Sequence, residues 1–430
     1  MHASGDQDID DLIERQRPGF ALERAFYTDA AIFERDRRRV FRNHWFLAAH
    51  ASQLAKSGDY RLFDIAGENI ILIRGRDGDL HSHFNICRHR GSRVLLQPCG
   101  NVSAMTCQYH GWTYAQDGAL RAAMHMPEAF DRSRFGLMPC RVRVLEGLVF
   151  ICPGAEGTEF DAVAEALEPF LVLHGIGDAR VADQRTFPVR ANWKLAVENY
   201  LECYHCKPAH REYCAVEIKA DKIGDGTPPA LERYVARERD WRTQAGRLGT
   251  LLADVGTRLP LDENLPKAPI AAAYRAPLRA SHVSATEDGR PAAPLMGRFT
   301  AYDGGETALA AEPFTYMLAY NDHAVFFAFI PRDVGHTDIV CTWLVHEDAH
   351  EGTDYDLGRL TWLWTRTTEQ DKAIIEANAA GISSPSFQPG PASMLEADVA
   401  AFREWYLSSI GPAHRPCRLP QVSGGRYFTA

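Results

Sequence analysis

Apolar positions recur at helical spacing through residues 9–45, where Leu12, Ile13, Phe33, Val40 and Trp45 sit among Arg-rich polar positions. From Gly58 the pattern shortens. Runs at 60–64, 69–74 and 80–84, separated by turn residues such as Asp77-Gly78, predict a compact antiparallel β region. It continues through an Asp117-Gly118 turn to runs at 141–144 and 148–152 and closes at Pro153-Gly154, so a domain boundary is expected near residue 155. Beyond it, 156–175 and 191–206 read as amphipathic helices, the second carrying Trp193, Leu195, Val197 and Leu201. Residues 222–312 show no sustained period and predict a long insertion or loop region with some helix. Runs at 316–318, 324–330 and 338–345 predict neighbouring strands of one sheet. Helical patterns at 356–379 and 394–407 flank a link containing Pro385, Pro389 and Pro391.

A chain of 430 residues is long enough for two or three domains, and 46% hydrophobic with 24% charged residues excludes disorder for most of it. With 47 Lys and Arg against 56 Asp and Glu, the net charge of −9 offers no excess to neutralise nucleic-acid phosphates. No run of ~18 apolar residues occurs, and residues 1–11 are acidic rather than basic-then-apolar. The expectation is a cytoplasmic chain with neither nucleic acid nor membrane as partner. Ten cysteines are too sparse for a disulfide scaffold, but several lie two or three positions from a histidine, which suggests metal.

Two such pairs fall in the β region: Cys87-Arg88-His89, then seventeen residues, then Cys107-Gln108-Tyr109-His110. One Cys and one His from each of two loops is what a [2Fe–2S] cluster with two thiolates on one iron and two imidazoles on the other requires. Zinc could take the same ligands, although zinc sites usually group Cys with Cys and His with His. These segments, 85–91 and 107–112, resemble the Rieske domain of the Rieske non-haem iron oxygenases. Gly91 and Gly111 are then expected to let the loop backbones approach the cluster. His81 and His83 read as ordinary strand residues, and Cys99 as a buried or loop thiol.

A second constellation lies at 192–210. Glu202 and His205 are three apart and would share a helix face, and Pro208 would break the helix and let His210 turn back. Two histidines and a carboxylate around open positions suit mononuclear iron(II) that binds O2. Cys203 and Cys206 could instead form a redox pair or half a zinc site. An acid-x2-His-x4-His segment after a Rieske-like domain resembles the oxygenase family, which implies His205 and His210 as iron ligands and the two cysteines as helix residues packing around them. The resemblance continues from Glu369-Gln370-Asp371 to Pro389-Gly390 and implies Asp371 as the third ligand, with Glu369 or Glu376 as substitutes. Glu202 stands where most of the family has Asp, the acid that joins a Rieske histidine of the next subunit to an iron histidine. Asn199, one turn earlier, would approach the iron or make a structural hydrogen bond.

The resemblance implies an α+β fold. A helical segment at 1–44 would pack with the catalytic domain, an all-β Rieske domain would occupy 45–155, and a catalytic domain with a central antiparallel sheet covered by helices would occupy 156–430. It also implies a homotrimer, in which His110 of one chain meets Glu202 and His205 of the next. No dinucleotide fingerprint is present, since Gly175-Ile176-Gly177 lacks the full motif, so NAD(P)H and flavin would act only through a separate reductase. Residues 198–210 are similar to the branch that oxidises glycine betaine, proline betaine (stachydrine) and carnitine. That implies a small cationic substrate, O2 as co-substrate, and N-demethylation with release of formaldehyde. Tyr200, Tyr204, Phe314, Tyr316, Tyr320 and Phe387 are candidates for an aromatic cage around the cation. The enzyme alternative is a ring-hydroxylating or O-demethylating oxygenase of an aromatic acid, which would want Arg or Lys in the pocket. The non-enzyme alternative is an electron-transfer or zinc protein.

Overall fold

The computed structural model describes residues 3–155, 157–256, 271–311 and 313–412. The strand Glu68–Arg74 shows how the first part is organised. Its period-two alternation sends Ile71 and Ile73 into a small core with Val94, Met105, Trp112 and Tyr114, and Ile70 and Leu72 into the main core of the molecule. It pairs with Asp59–Ile65 and Leu80–Phe84, and Cys99–Asn101 completes a four-stranded sheet. Short strands Met105–Thr106, Thr113–Tyr114 and Leu120–Ala122 form a second sheet. Phe46–His50, Leu148–Cys152 and Arg141–Leu145 form a third. The small core is capped by the two Cys/His loops.

The second part is built on a six-stranded antiparallel sheet in the order Arg180–Val189, His336–Val345, Ala324–Asp333, Thr315–Ala319, Gly305–Ala311, Ala271–Pro277. The expected insertion at 222–312 therefore needs correction. It supplies two of the six strands and the 21-residue helix Pro228–Leu248, while 257–270 lie outside the described residues. The strands escaped notice because half of the residues in their sequences, AAAYRAP and GETALAA, are alanine and Thr307 is the one β-branched residue, which leaves little strand signal. Their pairing holds Ala272 opposite Ala310 and Tyr274 opposite Ala308. Among the described residues no helix is long and apolar enough to cross a membrane.

The N-terminal pattern is not one helix. Ala3–Glu14 ends before Pro18-Gly19, and the chain resumes as Ala25–Thr28, Ala30–Asp36 and a wider turn at Arg37–Phe41. This segment lies on the catalytic helices through Asp36, which is fully buried. Asp36 accepts from Lys194 Nζ at 2.7 Å, Trp193 Nε1 at 2.9 Å and Tyr406 OH at 2.7 Å. Burial lowers the Lys194 pKa, and Asp36 offsets part of that shift. Replacing Asp36 by Ala leaves that ammonium without a counter-ion and is expected to cost ~3–5 kcal/mol in denaturant unfolding. A loss below about 1 kcal/mol would mean that water takes over the Lys194 charge.

Candidate metal centres

The two loops of the small core share one geometry. Cys87 N donates to Ser92 O and Gly91 N to Cys87 O; Cys107 N donates to Trp112 O and Gly111 N to Cys107 O. Gly91 and Gly111 have φ of +80° and +70°, left-handed turn positions where glycine carries no Cβ penalty. Cys87 and Cys107 are buried and unbridged, while His89 and His110 are exposed and their Nδ1 atoms converge to 3.1 Å. Buried sulfurs with outward imidazoles aimed at one point fit a mixed Cys/His [2Fe–2S] cluster. His81 is held by Asp77 and His83 by Gln116 O, so both stay outside this set. Cys99 is an exposed strand residue, neither buried nor in a loop.

Tyr114 OH lies 3.3 Å from Cys87 Sγ and accepts from Arg88 N at 3.0 Å. Burial, then the neighbouring Cys87, hold this phenol well above its usual range, so it stays protonated and would donate to Cys87 Sγ when that sulfur is a cluster thiolate. Tyr114→Phe removes a donor that favours the more negative, reduced state. The cluster potential is expected to fall by on the order of 60 mV, the one-electron equivalent of a tenfold change. An unchanged potential in a redox titration followed by EPR would show that this hydrogen bond does not reach the cluster.

The second centre forms where a helix stops. Asn192 caps Trp193–Tyr200 by accepting from Lys194 N, and the helix ends at Leu201 rather than running to 206 as its periodicity suggests. Glu202 and His205 are therefore not on a helix face but in a turn, and Pro208 sits within the short helix Cys206–Ala209 instead of ending the longer one. Glu202 organises that turn: one oxygen accepts from the Tyr204 and His205 amides, and the other from His205 Nδ1 at 2.5 Å. Cys203 and Cys206 are joined by a disulfide, with Cα atoms 4.8 Å apart. Cys203 belongs to the turn, a correction to its expected place on a helix.

His210 begins the next helix, Arg211–Val216. Its Nδ1 donates to Gln370 Oε1 at 2.8 Å, and Gln370 Nε2 donates to Glu212. Both histidines thus have Nδ1 held by a side chain, leaving each Nε2 turned to Asp371 Oδ1, at 3.2 Å from His205 and 2.9 Å from His210. The three ligand atoms lie within 4.8 Å of one another. Two imidazole nitrogens and a carboxylate oxygen converging on one point fit a divalent cation in a 2-His-1-carboxylate arrangement. Burial lowers the His205 pKa, but the hydrogen bonds to Asp371 and Glu202 outweigh it and raise it to about 9, so a bound cation would take the place of a proton at His205 Nε2. Asn199 Nδ2 stands 3.5 Å from His205 Nε2. Of the substitutes for Asp371, Glu369 is exposed and Glu376 accepts from Arg190 N and Nη2. Gln370 was missed from sequence, although it is the neighbour of a candidate ligand.

These ligands open into a cavity of about 180 Å³. Trp364, Thr367 and Asp371 line it from one face of the helix Leu357–Ile382, as three- and four-residue spacing allows. Of the six cage candidates, Tyr200 and Tyr316 line the cavity, with ring centroids 4.3 Å apart. Phe314 stacks on Phe46 in the core, and Tyr320 OH donates to Glu217. Tyr204 is exposed, and Phe387 packs against the main core away from the cavity wall. Tyr213, Tyr274 and Phe402, not foreseen, join the aromatic lining. Lys219 also lines it, with Nζ 2.6 Å from Glu306.

A β domain presenting a Cys/His loop pair, followed by a sheet domain with two histidines and an aspartate, defines an iron–sulfur oxygenase subunit. Residues 44–139 match the Rieske [2Fe–2S] domain, and 176–411 match the catalytic domain of the ring-hydroxylating alpha subunits. The chain belongs to that family, the Rieske oxygenase alpha subunits. It is 33% identical over 410 residues to the glycine betaine monooxygenase oxygenase subunit of Pseudomonas aeruginosa, covering 93% of this chain and 92% of that one. It is 38% identical over 189 residues to the carnitine monooxygenase oxygenase subunit of Escherichia coli, covering 43% and 50%. In fold it is similar to the crystal structure of a quaternary ammonium Rieske monooxygenase with a bound inhibitor. The TM-score is 0.68 at 22% identity, covering 94% of this chain and 98% of that chain.

Proposed function

We propose that this chain is the oxygenase component of a monooxygenase that hydroxylates an N-methyl group of a quaternary ammonium compound of the glycine betaine or proline betaine type. The observation that carries the reading is the aromatic-lined cavity onto which His205, His210 and Asp371 converge. Cys87, His89, Cys107 and His110 would hold the [2Fe–2S] cluster, and His205, His210 and Asp371 the mononuclear iron(II). When bound, the cluster supplies electrons, received from a separate flavin and NAD(P)H reductase, and the mononuclear iron supplies activation of O2.

The chain's own residues do the rest. Glu202 keeps a proton on His205 Nδ1 and Gln370 keeps one on His210 Nδ1, which fixes both tautomers. Tyr200, Tyr316 and Trp364 exclude water and face the cation, each contributing roughly 0.5–2 kcal/mol where a ring meets it. The hydroxymethyl group then loses its hydroxyl proton, the C–N bond breaks with its electron pair going to nitrogen, and formaldehyde leaves. An aromatic-acid substrate would want a free cation here, whereas Lys219 is paired with Glu306.

We place the Rieske unit at 45–155 and the catalytic unit at 156–430, with the N-terminal helical segment 1–44 packing with the latter. The working form is a cytoplasmic homotrimer in which His110 of one chain approaches Glu202 and His205 of its neighbour, in support of which His89 and His110 are exposed. The test is metal and sulfide content with EPR of the reduced protein, followed by formaldehyde assays on methylated betaines. About three irons and two sulfides per chain are expected. Zinc without sulfide would overturn the reading.

A further inference from the structure

Most acids at the cavity or just beneath it are committed. Asp371 faces two histidines, Glu202 faces His205, Glu306 faces Lys219, and Glu217 accepts from Tyr320. Burial, then Glu306, hold Glu217 well above the usual carboxylate range, while Lys219 and Tyr320 work against that shift. Asp398 is the exception. It stands in the first turn of the helix Ala397–Ile410 and lines the cavity together with Phe402, four residues on and so on the same face. Among the described residues no hydrogen bond or ion pair reaches its carboxylate. The groups that feel its charge are the phenols of Tyr274 and Tyr316. Arg403, the cation on the same helix, is committed to Glu198 through Nε and Nη2, and this pins the helix in place.

We propose that Asp398 is the specificity-determining anion that pairs with the quaternary nitrogen of the substrate across the Tyr274 and Tyr316 side of the cavity. The inference rests on the proposed substrate class and names the residue that selects it. Placing a carboxylate among aromatic rings without a partner is costly; burial alone pushes Asp398 up to about 7. A protonated amine could relieve that by sharing its hydrogen, but a tetraalkylammonium ion has none. It needs what this wall offers, an anion at van der Waals range and ring faces around it. A neutral substrate would leave the cost of the buried charge unrelieved.

The test compares two ligands of the same shape, glycine betaine and 3,3-dimethylbutanoate, in which carbon replaces the charged nitrogen. Binding to the fully loaded oxygenase is measured by calorimetry for wild type, Asp398→Asn and Asp398→Glu. Wild type is expected to prefer the betaine. Asp398→Asn should weaken betaine binding ~10–100-fold while the isostere changes by less than about 3-fold, and Asp398→Glu should recover part of the preference. Unchanged betaine affinity in Asp398→Asn, or an equal loss for both ligands, would overturn the role of Asp398 and leave the proposed function standing. Failure of wild type to bind or demethylate any quaternary ammonium compound would overturn the substrate class itself.

Discussion

Asp371→Ala is expected to lower iron from about three to about two per chain while the reduced cluster keeps its EPR signal. Asp371 is the point both imidazoles face, so its loss leaves His205 Nε2 and His210 Nε2 turned toward one another with no anion between them. Two neutral nitrogens hold a divalent ion far less tightly than two nitrogens and a carboxylate, and product formation should fall at least ~1000-fold. The cluster loops share no residue with this site, so their spectrum serves as the folding control. Full iron content and more than a tenth of wild-type turnover would show that another acid completes the site.

The second large effect belongs to Glu202→Gln, which keeps the shape of the side chain and removes its charge. The turn at 201–205 loses the anion that gathers the Tyr204 and His205 amides, and His205 loses the partner that anchors its Nδ1 proton. Orientation alone predicts a loss on the order of 10–100-fold in metal affinity or rate. If Glu202 also bridges to the cluster of a neighbouring chain, iron-replete protein will show a further defect. A pre-reduced cluster mixed with O2 and substrate would then reoxidise more slowly than in wild type. Equal reoxidation rates at equal iron loading would confine Glu202 to holding the histidine.

The parts of this molecule legible in the sequence are those whose chemistry is local. Cys87, His89, Cys107 and His110 announce themselves because each pair of ligands comes from one tight loop, with a glycine just beyond it. His205 and His210 were legible too, but the backbone between them was not. Helical periodicity at Trp193, Leu195 and Val197 carries no sign that Glu202 will turn back to bind amides and stop the helix, since that depends on a charge finding partners two and three residues on. The same turn separates Tyr200, inside the cavity, from Tyr204, outside it. Asp371 required the resemblance, because one acid on a 26-residue helix looks like any other until the facing histidines are in place. Asp398 gave no signal at all. A helix-start acid is ordinary, and only the tertiary surroundings leave this one without a partner.

The alanine strands carry a consequence for how selectivity could change over evolutionary time. Ala272, Ala308 and Ala310 form part of the cavity floor on strands that contribute no metal ligand. The shortness of these side chains is what creates the room. These strands are distinct from the histidine turn and the ligand helix, so different elements set the room for substrate and the positions of the ligands. A lineage could narrow or reshape its diet by adding single methyl groups to this floor, one strand position at a time, while the oxygen chemistry above it stays the same.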